Sequence, residues 1–166
     1  MIRERGWPPR VRFLLEPGMT FKKILVATDF SDSSQRALAL AIGIAEKFGA
    51  ELTLMHSWEA PDYSYAAGLY LPLDVIAPIE RAAVARLEEA GAELAQRFPT
   101  AKTLLRSGVA WEQVLGAATD VKAELIVMGT HGRRGLERAF LGSVAEKVVR
   151  LSRIPVLTVH SDAPGS

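Results

Sequence analysis

Short apolar runs alternate with segments of helical periodicity along this chain from residue 21 onward. Residues 22–28 form a β-branched run that is continuously apolar in its middle, which is typical of a strand buried on both faces. We predict strands at residues 22–28, 51–57, 100–106, 124–128 and 155–159, and helices at residues 73–98, 110–121 and 139–151. A further helix follows the capping residues 32–34 and ends at residue 48. Strands that alternate with helices favour an α/β fold built on a single doubly wound, five-stranded parallel sheet.

Apolar residues at helical spacing indicate which face of each helix turns toward the core. In the first helix these residues are Ala37, Leu38, Leu40, Ala41, Ile44, Ala45 and Phe48. In the last helix they are Val144, Val148, Val149 and Leu151. Pro78 lies near the first turns of the longest helix, where its missing N–H predicts a displaced start or a kink.

A glycine-rich segment follows the fourth predicted strand. Gly129 and Gly132 are separated by two residues, and Gly142-Ser143 follows nine residues later, where a helix can start. Glycines let backbone N–H groups approach an anion closely, and the unpaired N–H groups and dipole of a helix start favour negative charge. The pattern therefore predicts a phosphate site, although tight backbone geometry and an ordinary helix start would need the same residues.

Residues 126–132 and 141–148, together with residues 23–31, resemble the universal stress protein family, and the resemblance covers residues 21–160. In the ATP-binding branch of that family, a G-2x-G-9x-G-(S/T) signature surrounds the phosphates and ribose of the nucleotide. The resemblance implies an adenine nucleotide alpha hydrolase-like fold with strand order 3-2-1-4-5. It also implies ATP as the cofactor, with any Mg²⁺ arriving on the phosphates and keeping its own waters.

Carried over position by position, the resemblance implies a nucleotide site formed by Ala27, Thr28, Asp29, Ser57, Met128, Gly129, Thr130, His131, Gly132, Gly142, Ser143 and Val144. Asp29 and Gly129 end strands one and four, which the implied order makes neighbours. Ligands of such sheets bind where the strand order reverses. Asp29 could instead brace its own turn or cap the next helix, and Ser57 would read the adenine edge through its backbone alone.

Other kinds of site find little support in the sequence. A Walker-type loop with its lysine is absent, and so is a G-x-G-x-x-G motif after the first strand. His56, His131 and His160 fall on different elements without the spacing of a protein-ligated zinc site, so we predict no metal ligands. No Ser-His-Asp arrangement or carboxylate pair stands near the glycines, so no catalytic residue is assigned.

Composition narrows the class of protein further. The 166 residues suit one domain, which we place at residues 21–161, after an extension at residues 1–20 that we expect to be disordered. A net charge of +1 argues against nucleic-acid binding, and no apolar run approaches the ~20 residues that span a bilayer. The absence of cysteine and of a secretory leader fits a cytoplasmic location.

These observations favour an ATP-binding universal stress protein that acts as a stress-responsive regulator or nucleotide sensor. A slow Mg²⁺-dependent ATPase and a dimeric interaction module without nucleotide turnover are the alternatives. Arg133, Arg134 and Arg138 suit either a solvated loop or a lid that pairs with phosphate oxygens. The resemblance makes residues 155–159 an edge strand, and because an open edge invites pairing, we expect a homodimer through it.

Overall fold

The computed structural model describes residues 20–59, 73–130 and 141–160, without the side chains of residues 73–75. The predicted extension therefore lies outside the described residues, except for Thr20. The strands are β1 (Lys23–Ala27), β2 (Glu51–Trp58), β3 (Lys102–Ser107), β4 (Leu125–Gly129) and β5 (Val156–Val159). The helices are α1 (Asp32–Phe48), α2 (Leu73–Arg97), α3 (Ala110–Asp120) and α4 (Ser143–Leu151).

The five strands form one parallel sheet in the order β3-β2-β1-β4-β5, as expected. The central strand β1 pairs with β2 on one side and with β4 on the other. Its last residue, Ala27, stands opposite Met55 of β2 and Met128 of β4. The strand order reverses between β1 and β4, so the carboxyl ends of these two strands flank the switch point of the fold.

Helices cover both faces of the sheet and create two cores. On the first face, α1 and α2 bury residues such as Ala41 and Leu87 against Leu54 of β2. On the second face, α3 and α4 pack residues such as Val114 and Val148 against alternate positions of the same strands. Successive side chains of a strand point to opposite faces, so each inner strand is apolar along its length.

The structure corrects parts of the predicted pattern. The last helix was predicted to start at residue 139 but starts at Ser143, with Leu141 and Gly142 preceding it. Residues 139–140 are not among the residues that the structure describes. Leu40, Val149 and Leu151 were expected to face inward but are 44%, 46% and 47% exposed.

The physical reason is that each helix buries a narrow stripe. In α4, Ala145 and Val148 are the buried residues, and Val149 and Leu151 lie on the flanks of that stripe. The helix α2 begins at Leu73 and continues through Pro78. In the described part of the chain, none of the helices combines the length and apolar character needed to cross a bilayer.

Candidate functional site

The candidate site lies at the carboxyl ends of β1 and β4. The turn after β1 contains Asp29, whose Oδ1 accepts hydrogen bonds from the N–H of Ser31 at 3.1 Å and from the Ser31 hydroxyl at 2.5 Å. The Ser31 hydroxyl in turn accepts from the N–H of Ser34 as the N-cap of α1. Asp29 therefore braces the start of α1, the structural alternative considered for it, and its contact with a ligand remains a prediction.

Gly129, the last residue of β4, allows the start of α1 to approach the sheet. A Cβ at this position would lie 2.9 Å from both the carbonyl carbon of Ser33 and the backbone nitrogen of Ser34. Both serines are buried, and the hydroxyl of Ser34 lies 3.0 Å from that of Thr28. Tight backbone geometry, the alternative considered for Gly129, is therefore present, and its contact with phosphate remains a prediction.

Thr130 joins three elements just beyond β4. Its N–H donates to the carbonyl of Val159 at 2.9 Å, and its own carbonyl accepts from the N–H of Gly142 at 2.7 Å. Its hydroxyl lies 3.0 Å from Nδ1 of His160 and donates to the Val159 carbonyl at 3.3 Å. Only 3% of Thr130 is exposed, so its side chain is committed to β5 and its backbone fixes the start of α4.

The start of α4 differs from that of α1 in its capping. Gly142 is the N-cap residue, with φ −58° and ψ 151°, and has no side chain to accept from the first turn. The N-cap of α3, Val109, also makes no side-chain hydrogen bond, but this helix follows the edge strand β3. The helix α4 therefore presents first-turn N–H groups, unmatched by their N-cap, next to the switch point.

The other described site residues surround the same end of the sheet. Ala27 and Met128 pack in the core beneath α3 and α4, and Val144 packs against that core from α4. Ser57 alternates with His56 at the end of β2. His131 and Gly132 lie outside the described residues, as does the arginine-rich segment that follows them. In the part of the chain that the structure describes, no three acidic or histidine side chains are grouped to hold a metal ion.

His56 is a further residue at this edge that sequence analysis did not assign to the site. Its Nδ1 lies 2.8 Å from the Thr28 carbonyl, and since a carbonyl only accepts, Nδ1 carries the hydrogen and donates. Its ring packs on that of Phe30, with 4.5 Å between centroids. Its position inside an apolar strand was the only signal in the sequence, and it did not indicate these partners.

Burial lowers the pKa of His56 below its ordinary value of 6.5. The nearby Arg86 guanidinium lowers it further, whereas the hydrogen bond to Thr28 and the Asp29 carboxylate oppose the shift. At pH values between the lowered pKa of the folded protein and 6.5, this imidazole is therefore mostly neutral in the folded protein and mostly protonated in the unfolded chain.

The protein should consequently lose stability as the pH falls below about 6.5, because the unfolded state then binds more protons at His56 than the folded state does. Denaturant unfolding between pH 8 and pH 5 would measure this loss. His56→Asn should flatten the dependence, since Asn does not titrate. Identical pH profiles for both proteins would contradict the assignment.

A parallel sheet with helices on both faces and a strand order that reverses between β1 and β4 defines a doubly wound α/β protein. The universal stress protein family matches residues 20–160. A universal stress protein of Thermus aquaticus is 40% identical in an alignment of 146 positions that covers 84% of this chain and 99% of that protein. The chain therefore belongs to the universal stress protein family.

Solved structures agree with this assignment. The universal stress protein UspA of Lactobacillus plantarum superimposes with a TM-score of 0.73 at 26% identity, over 85% of this chain and 99% of the other. A universal stress protein solved in complex with cAMP gives a TM-score of 0.65 at 27% identity, over 87% of this chain and all of the other. The adenine nucleotide alpha hydrolase-like fold expected from the resemblance is thereby confirmed.

Proposed function

We propose that this universal stress protein binds an adenine nucleotide, with ATP as the ligand of the ATP-binding branch. One observation carries the proposal: α4 starts at an uncapped glycine, hydrogen-bonded to Thr130 at the switch point. That arrangement favours a phosphate, because unpaired N–H groups and the helix dipole act on the same anion. The spacing from Gly129 through Gly132 to Gly142-Ser143 and the cAMP-bound relative support it.

In this proposal the ligand lies across the carboxyl ends of β1, β2 and β4. The start of α4 holds the phosphates, and the family resemblance adds His131 and Gly132, which lie outside the described residues, as further contacts. Asp29 and the backbone of Ser57 face the nucleoside. A magnesium ion, where present, is carried by the phosphates.

The proposed role is that of a cytoplasmic stress-responsive regulator or nucleotide sensor, acting through the domain at residues 21–161. Among the described residues, Asp29 at the end of β1 is the carboxylate that an ATPase mechanism would use. Its Oδ1 already accepts two hydrogen bonds from Ser31 and so braces α1. A dedicated base for water is not assigned, so slow Mg²⁺-dependent hydrolysis is the second candidate.

Small molecules released from the purified protein should therefore include an adenine nucleotide, identified by mass spectrometry. Steady-state phosphate release from ATP should be slower than about 1 s⁻¹, the lower end of typical enzyme turnover. Faster release that Asp29→Ala abolishes would make the ATPase the better description. Protein that carries no nucleotide and binds none would leave the interaction module as the remaining function.

We also propose a homodimer in which β5 pairs with β5 of a second copy. The strand lies at the edge of the described sheet, and all four of its residues are only partly buried. Exposed apolar side chains, Val149 and Leu151, come shortly before it on α4. Together they provide an open strand edge and apolar surface near it, which natural proteins usually cover.

Thr158→Pro should convert this dimer to a monomer. The carbonyls of Pro155 and Val159 accept from β4, so alternate residues face β4 and Thr158 points its N–H toward the open edge. Proline removes that donor and leaves the bonds to β4 in place. Sedimentation at micromolar concentration would measure the change, with Thr158→Val as the control that keeps the N–H. A wild-type monomer would contradict the proposed dimer.

A further inference from the structure

The turn between β1 and α1 is held from behind by side chains of two other elements. Phe30 packs against the His56 ring of β2, and the Arg86 guanidinium of α2 lies 4.5 Å from the centroid of the Phe30 ring. We call these three residues the Phe30 cluster. Phe30 and Arg86 also line a groove of about 510 Å³ between α1 and α2, on the face of the sheet opposite α4.

The backbone of this turn is strained and needs such support. Phe30 has φ +64°, in the left-handed region that residues other than glycine rarely adopt. Surrounding contacts must hold such a residue in place. Its N–H donates to the Thr28 hydroxyl at 3.0 Å, and its ring contacts His56 and Arg86.

A hydrogen bond from His56 ties this turn to β2, in addition to the packing of its ring on Phe30. The carbonyl of Thr28 lies one residue beyond β1, whose ladder with β2 ends where the Thr28 N–H donates to Met55. His56 extends the connection by one more bond, to the Thr28 carbonyl itself. Asp29 lies in sequence between Thr28 and Phe30, the two residues that His56 contacts. The direction in which the Asp29 side chain points therefore depends on both neighbours.

We propose that His56 is a positioning residue for nucleotide binding. By donating to Thr28 and packing on Phe30, it fixes the turn in the conformation that presents Asp29 to the crevice, while the next residue, Ser57, offers its backbone to the ligand. His56 itself lies on the face of α1 and α2 and does not touch the nucleotide. This role depends on the proposed nucleotide site and adds to it His56, which supports the turn after β1 from β2.

Two substitutions separate the hydrogen bond from the bulk of the ring. His56→Asn keeps an N–H donor near the position of Nδ1, whereas His56→Leu has similar size and no donor. Calorimetric titration with ATP and with AMP should give a dissociation constant about tenfold higher for His56→Leu, the loss expected for about one hydrogen bond. The dissociation constants of His56→Asn should remain within about threefold of the wild-type values. For each variant, the change relative to wild type should be the same with ATP and with AMP.

A control of general destabilisation is Ile42→Val, which removes one methyl group from a buried side chain of the same face. Its dissociation constants should equal those of wild type. Folded His56→Leu protein that binds ATP as tightly as wild type would overturn the positioning role and leave the nucleotide site standing. Equal losses in the Leu and Asn variants would also overturn it. Wild-type protein that binds neither nucleotide would refute the proposed function itself.

Discussion

Saturating MgATP is expected to raise the melting temperature of this protein by about 5–10 °C. A ligand that binds only the native state adds about 2.7 kcal/mol at 100 times its dissociation constant. For a domain of this size, each kilocalorie per mole moves the melting temperature by roughly 2–4 °C. Adenosine should give a smaller shift, because it lacks the anion that the start of α4 favours. Differential scanning calorimetry of nucleotide-stripped protein would measure both shifts.

Gly142→Asp should raise the stability of the ligand-free protein and abolish its stabilisation by ATP. The aspartate can cap α4 itself and complement the helix dipole, which should stabilise the ligand-free protein by roughly 0.3–1 kcal/mol. The same carboxylate would occupy the proposed anion site and repel phosphate, so the shift with ATP should disappear. The backbone at φ −58° and ψ 151° accepts any residue, so the substitution introduces no backbone strain.

Val109→Asp is the matched control, because it places the same cap on α3, whose N-cap also makes no side-chain hydrogen bond. It should stabilise the protein by a similar amount and leave the shift with ATP unchanged. An undiminished shift in Gly142→Asp would remove the start of α4 from the site. Stripped wild-type protein that responds to none of ATP, ADP and AMP would exclude nucleotide binding altogether.

Gly129→Ala should destabilise the protein by about 1–3 kcal/mol, the cost of forcing an extra methyl group into a packed region. The new Cβ would meet backbone atoms of Ser33 and Ser34, so the first turn of α1 must move away from β4. That movement would strain the capping bond from the Ser34 N–H to the Ser31 hydroxyl and disturb the bonds from Ser31 to Asp29. Denaturant unfolding followed by circular dichroism would measure the loss.

Gly43→Ala gives the same chemical change in the middle of α1, where nothing lies within 4 Å of the added Cβ. Alanine should stabilise the helix there by roughly 0.5–1 kcal/mol, since glycine loses more backbone entropy on folding. The two variants should therefore differ in sign. Unchanged stability in Gly129→Ala would show that α1 can shift at no cost, contrary to the packing seen at the end of β4.

The elements of the fold could be predicted from the sequence because each is a local pattern. Buried parallel strands are continuously apolar, and helix stripes repeat every three to four residues, so all nine described elements were predicted within about two residues at most ends, the start of α4 excepted. The strand order came from the family resemblance. Local periodicity failed at Leu40 and Val149, because whether a helix flank is covered depends on its neighbours in space.

The site was less accessible to the same reasoning. The glycine spacing drew attention to Gly129, but its packing partner Ser33 is almost a hundred residues away in sequence and gives no signal there. The bonds from Thr130 to β5 and from His56 to Thr28 are likewise long-range. The glycine motif therefore indicated where a ligand could bind, but it did not indicate the long-range contacts that stabilise that region.

The central position of β1 also determines when the crevice can form during folding. Its neighbour β4 follows about a hundred residues later, and the two meet through pairs such as Ile24 with Leu125. Closing so long a loop is slow in comparison with forming local structure. A chain that has folded only as far as β3 therefore has the turn with Asp29 and lacks the glycines opposite it. Such a nascent half-sheet would lack one side of the proposed nucleotide site, so the proposed ligand would stabilise only the sheet that β4 has completed.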